Sequence, residues 1–207
     1  MSELKTLTRE IQNIVGVTPD GIYGPNTAKA ILRKLKNNQE EAPAKPDASF
    51  PEVFKASPNI SYNTIQPEGV VLHHSYGSYK GGVSWILNDA SNVSYHVLID
   101  TDGSRTVFAK DTQRAWHAGK SAFNGRPGCN NFMLGLAFSG DTTSRELTQA
   151  EIDSAVEYLL PRFERWGWPK DLSTITTHKE VSPGRKEDVD SRAEKAIIDA
   201  LRSALDA

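Results

Sequence analysis

Hydrophobic and polar positions along the chain follow two periods, one typical of strands and one typical of helices. Short, nearly continuous apolar runs predict buried strands, and apolar residues three or four positions apart predict amphipathic helices. The predicted strands lie at 70–74, 95–100, 105–108, 133–138 and 172–176, and the predicted helices at 83–87, 148–166 and 191–205. This pattern predicts an α/β (α+β) fold, in which a mixed central β-sheet is flanked by helices.

Two of the predicted helices carry signals for where they begin. Thr148 and Glu151 have the spacing of a capping box, and so do Ser191 and Glu194. Pro161 lacks a backbone N–H and lies inside the first of these helices, so we expect it to kink or interrupt that helix.

The first 36 residues predict a small all-α module that precedes the sheet. Apolar residues recur at helical spacing in two stretches, separated by the turn DGIYGPNT at residues 20–27. The glycines of this turn permit positive φ angles, and Pro25 suits the first position of a helix. The apolar positions are Leu4, Leu7, Ile11, Ile14 and Val15, followed by Ala28, Ile31, Leu32 and Leu35.

Residues 37–51 read NNQEEAPAKPDASFP and predict a solvated linker, because they combine three prolines with few apolar residues. The sequence therefore predicts three parts: a helical module at 1–36, a linker at 37–51, and a second domain at 52–207.

Composition narrows the class of protein. The hydrophobic content of 38% and the charged content of 24% are typical of a soluble globular chain. The net charge is −2 and no basic block occurs, which argues against a nucleic-acid partner. No apolar run is long enough to span a bilayer, and the polar N-terminus does not resemble a signal peptide. Because Cys129 is the only cysteine, no internal disulfide can form.

All five histidines lie in the second domain, and two of them are adjacent in the stretch HHSYGS at the end of a predicted strand. Neighbouring residues of a strand point to opposite faces of the sheet, so His73 and His74 cannot have the same role. One of them can face a site while the other packs.

A third histidine begins the segment HKEVSPGRKEDVD, in which Pro183 and Gly184 form a turn that can bring Asp188 back toward His178. Catalytic zinc sites take three nitrogen, oxygen or sulfur ligands and keep one position open for water. His73, His178 and Asp188 can supply such a set. The alternative is that each histidine is an ordinary packed or surface residue.

The turn DGIYGPNT resembles the D-G-x-(F/Y)-G-x-x-T signature of the small helical peptidoglycan-binding modules found on bacterial and phage wall hydrolases. A helical hairpin of another kind can also use a glycine-rich turn. The resemblance implies wall binding by the residues that match the signature, namely Asp20, Gly21, Tyr23, Gly24 and Thr27.

The second domain resembles the zinc-dependent N-acetylmuramoyl-L-alanine amidases of phage endolysins, whose fold is shared by bacterial wall amidases and animal peptidoglycan recognition proteins. The matching motifs are HHSYGS, SYHVLID, AWHAG and HKEVSPGRKED, in the family's order and spacing. The resemblance implies hydrolysis of the amide between the lactyl group of N-acetylmuramic acid and L-alanine of the stem peptide.

Carried over residue by residue, the resemblance implies a site with one zinc ion. The implied ligands are His73, His178 and Asp188, and the implied catalytic residues are Tyr95 and Lys186. His74 is then structural or supports a ligand. Residues expected to line the substrate groove are Trp116, His117 and Asn131.

Three positions leave alternatives open. Many bacterial relatives carry a proposed glutamate base in the strand where this chain has Ala137, so activation of the water by zinc and Tyr95 is the alternative. Asp190 is a rival to Asp188 as the third ligand, and Asp188 itself can serve simply as an acid near a helix N-terminus. Cys129 lies in a loop without a base partner in the sequence.

The sequence as a whole predicts a monomeric modular endolysin that acts on bacterial peptidoglycan. We expect it to be made in the host cytoplasm and to reach the wall through a holin, without inserting into a membrane. One alternative is a cytosolic amidase of wall recycling that acts on soluble anhydro-muropeptides. Another is a peptidoglycan recognition protein that binds without cutting.

Overall fold

The structure is a computed structural model that describes residues 3–15, 17–29, 31 and 50–206. The chain divides into two compact units, residues 1–47 and 48–207, and each is described by itself. The predicted linker falls largely outside the described residues, as do Leu32 and Leu35 of the first unit.

The first unit contains helix α1 (Glu3–Val15) and a helical segment at 25–29. The side chain of Gln12 holds the turn between them. Its Nε2 donates to Asp20 Oδ1 at 2.7 Å, to the Ile22 carbonyl at 3.0 Å and to Thr27 Oγ1 at 3.1 Å. Its Oε1 accepts from the Gly21 N–H at 2.9 Å, where φ is +76°. Gln12 and Thr27 are buried, so these hydrogen bonds link the two ends of the turn inside the unit.

The second unit is built on a six-stranded mixed sheet in the order β1-β5-β4-β9-β3-β10. Strands β4, β9, β3 and β10 are parallel, β5 is antiparallel to β4, and β1 is parallel to β5. Two-stranded pairs β2-β6 and β7-β8 lie beside it. The strands are β1 (Glu52–Phe54), β2 (Ile60–Thr64), β3 (Val70–Ser75), β4 (Val97–Ile99), β5 (Arg105–Val107), β6 (Gln113–Ala115), β7 (Ala122–Phe123), β8 (Arg126–Pro127), β9 (Leu134–Ser139) and β10 (Ile175–Thr177).

Helices cover this sheet, and the predicted fold class is confirmed. They are α2 (Tyr79–Ile86), α3 (Gln149–Trp166), α4 (His178–Val181) and α5 (Ser191–Leu205). None of the helices in the described part of the chain is both long and apolar enough to cross a membrane.

The two faces of the sheet bury different sets of side chains. One face packs against α3 and α5, through residues such as Leu72, Phe138, Leu159 and Ile197. The opposite face packs Leu98 and Ala137 against α2 and Phe108, among other residues. The alternation along β3 therefore sends Leu72 and His74 to the first face and His73 to the second.

The sequence predicted a kink or an interruption of helix α3 at Pro161. The helix begins as predicted, with the Thr148–Glu151 capping box, and it is not interrupted at Pro161. The helix continues to Trp166. Pro161 is exposed, whereas Leu159 and Phe163 on either side of it are buried against the sheet. Packing on both sides of the proline holds the helix together at the cost of one backbone hydrogen bond.

The predicted cap of α5 is also wrong by one residue. Asp190 is the N-cap, because its carboxylate accepts from the Arg192 N–H at 3.0 Å, and Ser191 is the first helical residue. Asp and Ser are comparable N-cap residues, so the sequence pattern could not separate them.

The strand expected at 172–176 is shorter and later, at Ile175–Thr177. Leu172 is buried but has a φ of +65°, which is incompatible with a strand. Its apolar character reflects core packing in a turn.

Candidate metal centre and active site

Two histidines meet at the carboxyl ends of the parallel strands β3 and β10. Thr177 at the end of β10 lies opposite Leu72 on β3, so the following residues, His178 and His73, are neighbours. Thr177 also caps α4, whose first residue is His178, and forms a capping box with Glu180. Ligand sites in sheets of this kind lie outside the carboxyl ends of the strands.

Asp188 reaches the same point from the segment before α5. The Lys179 N–H donates to the Asp188 carbonyl at 2.6 Å, which ties that segment to α4. Asp188 Oδ2 lies 3.1 Å from His178 Nδ1 and 3.3 Å from His73 Nδ1, and the two Nδ1 atoms are 3.0 Å apart. The structure thus brings together the three residues that the sequence proposed as metal ligands.

The three side chains are buried, and their surroundings shift the pKa values of His73 and Asp188. Burial lowers the pKa of His73 to about 4, so this ring is neutral at neutral pH. Burial alone would raise the pKa of Asp188, but the neighbouring rings of His178 and His73 outweigh that effect and hold the pKa below its ordinary range. A neutral imidazole and an ionised carboxylate are the forms in which these residues bind metals.

The other nitrogen of each histidine faces the protein. His178 Nε2 lies 3.3 Å from the Ala118 carbonyl, and His73 Nε2 lies 3.0 Å from His117 Nδ1. The Nδ1 atoms and the carboxylate oxygen therefore converge on one point. Ligands about 2.0 Å from a tetrahedral zinc are roughly 3.3 Å from each other, so the observed separations fit such an ion.

A cavity of about 490 Å³ opens onto this cluster. Tyr95 lines it, and its ring centroid lies 5.1 Å from that of His73. Burial and the charge of Asp188 raise the pKa of Tyr95, so its phenol keeps its proton. Lys186 also lines the cavity, and among the described residues no carboxylate forms an ion pair with its ammonium group. Both predicted catalytic residues thus reach the space in front of the cluster.

The residues predicted to line the substrate groove are placed differently from one another. Trp116 lines the cavity and donates through Nε1 to Ser61 Oγ at 2.9 Å. Asn131 is not among the lining residues, because its Oδ1 accepts from Arg114 Nε at 2.8 Å on a neighbouring surface. His117 touches the cavity but is buried behind His73, with both ring nitrogens bonded within the protein.

His74 and Asp190 do not join the cluster. His74 Nδ1 accepts from the Thr142 N–H at 3.2 Å and lies 2.9 Å from Thr142 Oγ1, which in turn accepts from the Asp190 N–H at 3.2 Å. His74 therefore supports the start of α5 through Thr142.

The other two open positions have packing roles. Ala137 lies opposite His73 in the register of β9 and β3, and its methyl group belongs to the core. Cys129 is a buried free cysteine that packs with Met133 and Val181. Burial raises the pKa of its thiol, which disfavours the reactive thiolate.

Two residues near the site were not predicted from the sequence. Arg185 donates through Nη2 to the carbonyls of Ala118 and Lys120, at 2.6 and 3.0 Å, and so holds the loop that faces His178. Trp85 on α2 lines the cavity with half of its side chain exposed. The run Gly184-Arg185-Lys186 placed Arg185 beside a predicted residue, but nothing in the sequence placed Trp85 near the histidines.

The family model described as N-acetylmuramoyl-L-alanine amidase matches residues 63–190. Among curated proteins, the 1,6-anhydro-N-acetylmuramyl-L-alanine amidase AmpD of Haemophilus influenzae is 37% identical over 97 residues, which are 46% of this chain and 51% of that protein. N-acetylmuramoyl-L-alanine amidase A of Achromobacter lyticus is 39% identical over 64 residues, which are 30% of this chain and 36% of that protein. The chain therefore spans about half the length of the first relative and about a third of the second.

Among solved structures, a selenomethionine derivative of AmpD superposes with a TM-score of 0.61. The superposition covers 74% of this chain and 94% of that chain at 24% sequence identity. At this identity the likeness concerns the fold.

Proposed function

The chain belongs to the N-acetylmuramoyl-L-alanine amidase family, and we propose that it hydrolyses the amide between N-acetylmuramic acid and L-alanine of the peptidoglycan stem peptide. The observation that carries this proposal is the convergence of His73 Nδ1, His178 Nδ1 and Asp188 Oδ2 beneath a cavity that Tyr95 and Lys186 line.

We propose one zinc ion as the cofactor, held by His73, His178 and Asp188. When bound, zinc supplies Lewis acidity, which polarises a carbonyl and lowers the pKa of a coordinated water. The donor set of two imidazoles and one carboxylate is a known type for catalytic zinc.

Lys186 and Tyr95 would stabilise the charge that develops on the amide oxygen. Lys186 offers a positive charge, and the raised pKa of Tyr95 keeps a phenolic proton available for donation. Groups that stand ready before the reaction stabilise the transition state more than the substrate, and a single such donor contributes on the order of 100-fold in rate. Arg185 would act indirectly, by holding the Ala118 carbonyl against His178.

No carboxylate base is assigned on β9, because Ala137 occupies the register position opposite His73. The phenol oxygen of Tyr95 is the group of this chain that we propose to hold the attacking water. Its closeness to His73 supports that role.

For the substrate, similarity to AmpD favours soluble anhydro-muropeptides, since the curated name of that relative is 1,6-anhydro-N-acetylmuramyl-L-alanine amidase. This was the recycling alternative of the sequence analysis. The proposal rests on a match to about half of that relative's length.

The first unit favours a second candidate, an endolysin that acts on intact wall after release through a holin. Its turn resembles the signature of wall-binding modules, and it exposes Ile22 and Tyr23 to 65% and 62%. Exposed apolar side chains on a rigid turn suit contact with a glycan or peptide surface. Anchoring would raise the effective concentration of the second unit at the wall.

The test compares two substrates with the full chain. Mass spectrometry measures the release of peptides with a free N-terminal L-alanine from intact sacculi and from soluble anhydro-muropeptides, with and without a chelator. About one zinc per chain, together with activity that is lost on chelation and restored by zinc, supports the amidase. No zinc and no cleavage of either substrate would overturn it in favour of a recognition protein.

A variant pair then separates the two candidates. Tyr23→Ala should weaken sedimentation with sacculi if the first unit binds wall, and should leave cleavage of soluble fragments unchanged. Tyr62→Ala is the matched control, because Tyr62 is fully exposed in the second unit and does not line the cavity. Equal sedimentation of wild type and Tyr23→Ala, with activity confined to soluble fragments, would favour the recycling amidase.

A further inference from the structure

His117 occupies an unusual place for a residue next to a substrate cavity. Only 5% of it is exposed, and its ring stands edge-on to that of His73, with centroids 5.1 Å apart. Its Nδ1 lies 3.0 Å from His73 Nε2, and its Nε2 lies 3.1 Å from the Met133 carbonyl oxygen. Each of its ring nitrogens therefore has a partner inside the protein.

These two contacts determine where the protons are. A carbonyl oxygen can only accept a hydrogen bond, so His117 Nε2 must carry a proton and donate to Met133. In the neutral ring His117 Nδ1 is then an acceptor. The atom that faces it, His73 Nε2, must donate, which leaves His73 Nδ1 as a bare lone pair.

We infer that His117 is a positioning residue, which holds His73 in the tautomer whose Nδ1 lone pair faces His178 and Asp188. The Met133 carbonyl fixes the tautomer of His117, and His117 in turn fixes the tautomer of His73. The consequence for zinc rests on the proposed function, but the tautomer of His73 does not. Partners of this kind orient metal-binding histidines, and their loss typically costs 10- to 100-fold in metal affinity.

The surroundings of His117 fix both its backbone and its ring. The Asn130 side chain accepts from the N–H groups of His117 and Ala118, at 3.2 and 2.8 Å. On β9, a Cβ added at Gly135 would lie 2.6 Å from His117 Cγ and 2.8 Å from His117 Cβ. These atoms lie close to the backbone and cannot swing away. The absence of a side chain at position 135 is thus a condition for the His117 position.

The experiment reads the tautomer directly, in the metal-free full-length protein, from the ring nitrogen chemical shifts of His73. Wild type should show the form protonated at Nε2. In His117→Phe the acceptor is gone, so the proton should move to Nδ1, where Asp188 can accept it. His117→Asn can still offer an amide oxygen to His73 and should restore the wild-type form.

Gly135→Ala provides a second route to the same result, because it displaces His117 without changing it. Tyr62→Ala is the control, since Tyr62 is fully exposed in the second unit and does not line the cavity. Zinc affinity, measured by competition with a chromophoric chelator, should fall 10- to 100-fold in His117→Phe and Gly135→Ala and hold in the control.

Two results would overturn the inference. One is wild-type His73 protonated at Nδ1, which needs no variant to be seen. The other is an unchanged tautomer and unchanged zinc affinity in both His117→Phe and Gly135→Ala. If wild type binds no zinc at all, the proposed function fails, while the tautomer measurement still decides the role of His117.

Discussion

The Nδ1 atoms of His73 and His178 lie 3.0 Å apart, although the two residues are 105 positions apart in the chain. Their meeting follows from backbone register, because Leu72 and Thr177 are paired on neighbouring parallel strands. Asp188 completes the cluster from the segment before α5.

Asp188 and Asp190 make a matched pair of acids, only one of which reaches the cluster. Asp188→Ala removes one of the three converging atoms, so zinc content and hydrolysis should both be lost. Asp190→Ala removes the N-cap of α5 and should lower the free energy of unfolding by about 1 kcal/mol, with zinc content unchanged. Elemental analysis and urea unfolding measure both effects. Loss of zinc in Asp190→Ala alone would make Asp190 the ligand.

Tyr95→Phe removes a phenol but keeps the ring that packs beside His73. The rate of hydrolysis should fall on the order of 100-fold, because one preorganised donor is lost, and zinc affinity should stay the same. Steady-state kinetics on a soluble muropeptide measure the rate. Tyr62→Phe, at a fully exposed position, is the control and should behave as wild type. An unaffected rate in Tyr95→Phe would remove Tyr95 from the mechanism.

Lys186→Met keeps the length of the side chain and removes its charge at the cavity. We expect kcat to fall on the order of 100-fold, since the developing oxyanion loses its cation, while the free energy of unfolding barely changes. Lys170→Met is the control, because Lys170 lies in an exposed turn and does not line the cavity. A drop in thermal stability that accounts for the lost activity would argue against a direct role for Lys186.

The ion pair between Asp111 and Arg162 should make the free energy of unfolding depend on pH in the acidic range. Burial raises the pKa of Asp111, but the charge and hydrogen bonds of Arg162, together with a bond from Trp166, bring it below its ordinary value of 3.8. The pair therefore contributes its full stability above pH 3.8 and loses it as the pH falls through the lowered pKa of the folded state.

Asp111→Asn leaves Arg162 without its charged partner and should lower the free energy of unfolding by about 3 kcal/mol near pH 7. The difference from wild type should hold down to about pH 5 and shrink below pH 3.8. Urea unfolding between about pH 2.5 and pH 7 follows this difference. Glu68→Gln breaks the exposed pair with Arg126 and should cost less than about 1 kcal/mol. A difference that does not change with pH would show that Asp111 acts through packing.

Local sequence patterns predicted a helix or strand correctly where the residues that specify it lie close together in the chain. Strand β3 and helix α3 with its Thr148–Glu151 capping box are both confirmed. The errors arose where tertiary packing overrode a local rule. Pro161 sits inside an unbroken helix, and buried Leu172 lies in a turn, because contacts with the sheet decide both.

The candidate site also divides into residues that sequence motifs identified and residues that only tertiary contacts placed. The resemblance to the amidase family implied His73, His178, Asp188, Tyr95 and Lys186, and the structure groups them around one cavity. Alternation along β3 separated His73 from His74, since the period of a strand is a local property. The same reasoning could not place His117 or Asn131, because each lies in or beside a loop whose course depends on distant contacts.

The sequence by itself determined the longer elements, the chemistry of the candidate ligands and the placing of His73 and His74 on opposite faces of β3, because these depend on residues close together in the chain. It did not predict the short strands β1, β2, β6, β7 and β8. The family resemblance implied that His73 and His178 meet, but only the tertiary structure placed His117 behind His73 and decided which nitrogen of each ring faces the cluster. The reason is that strand register and loop closure bring His117, His73 and His178 together from three separate segments, and that meeting leaves no mark in local sequence.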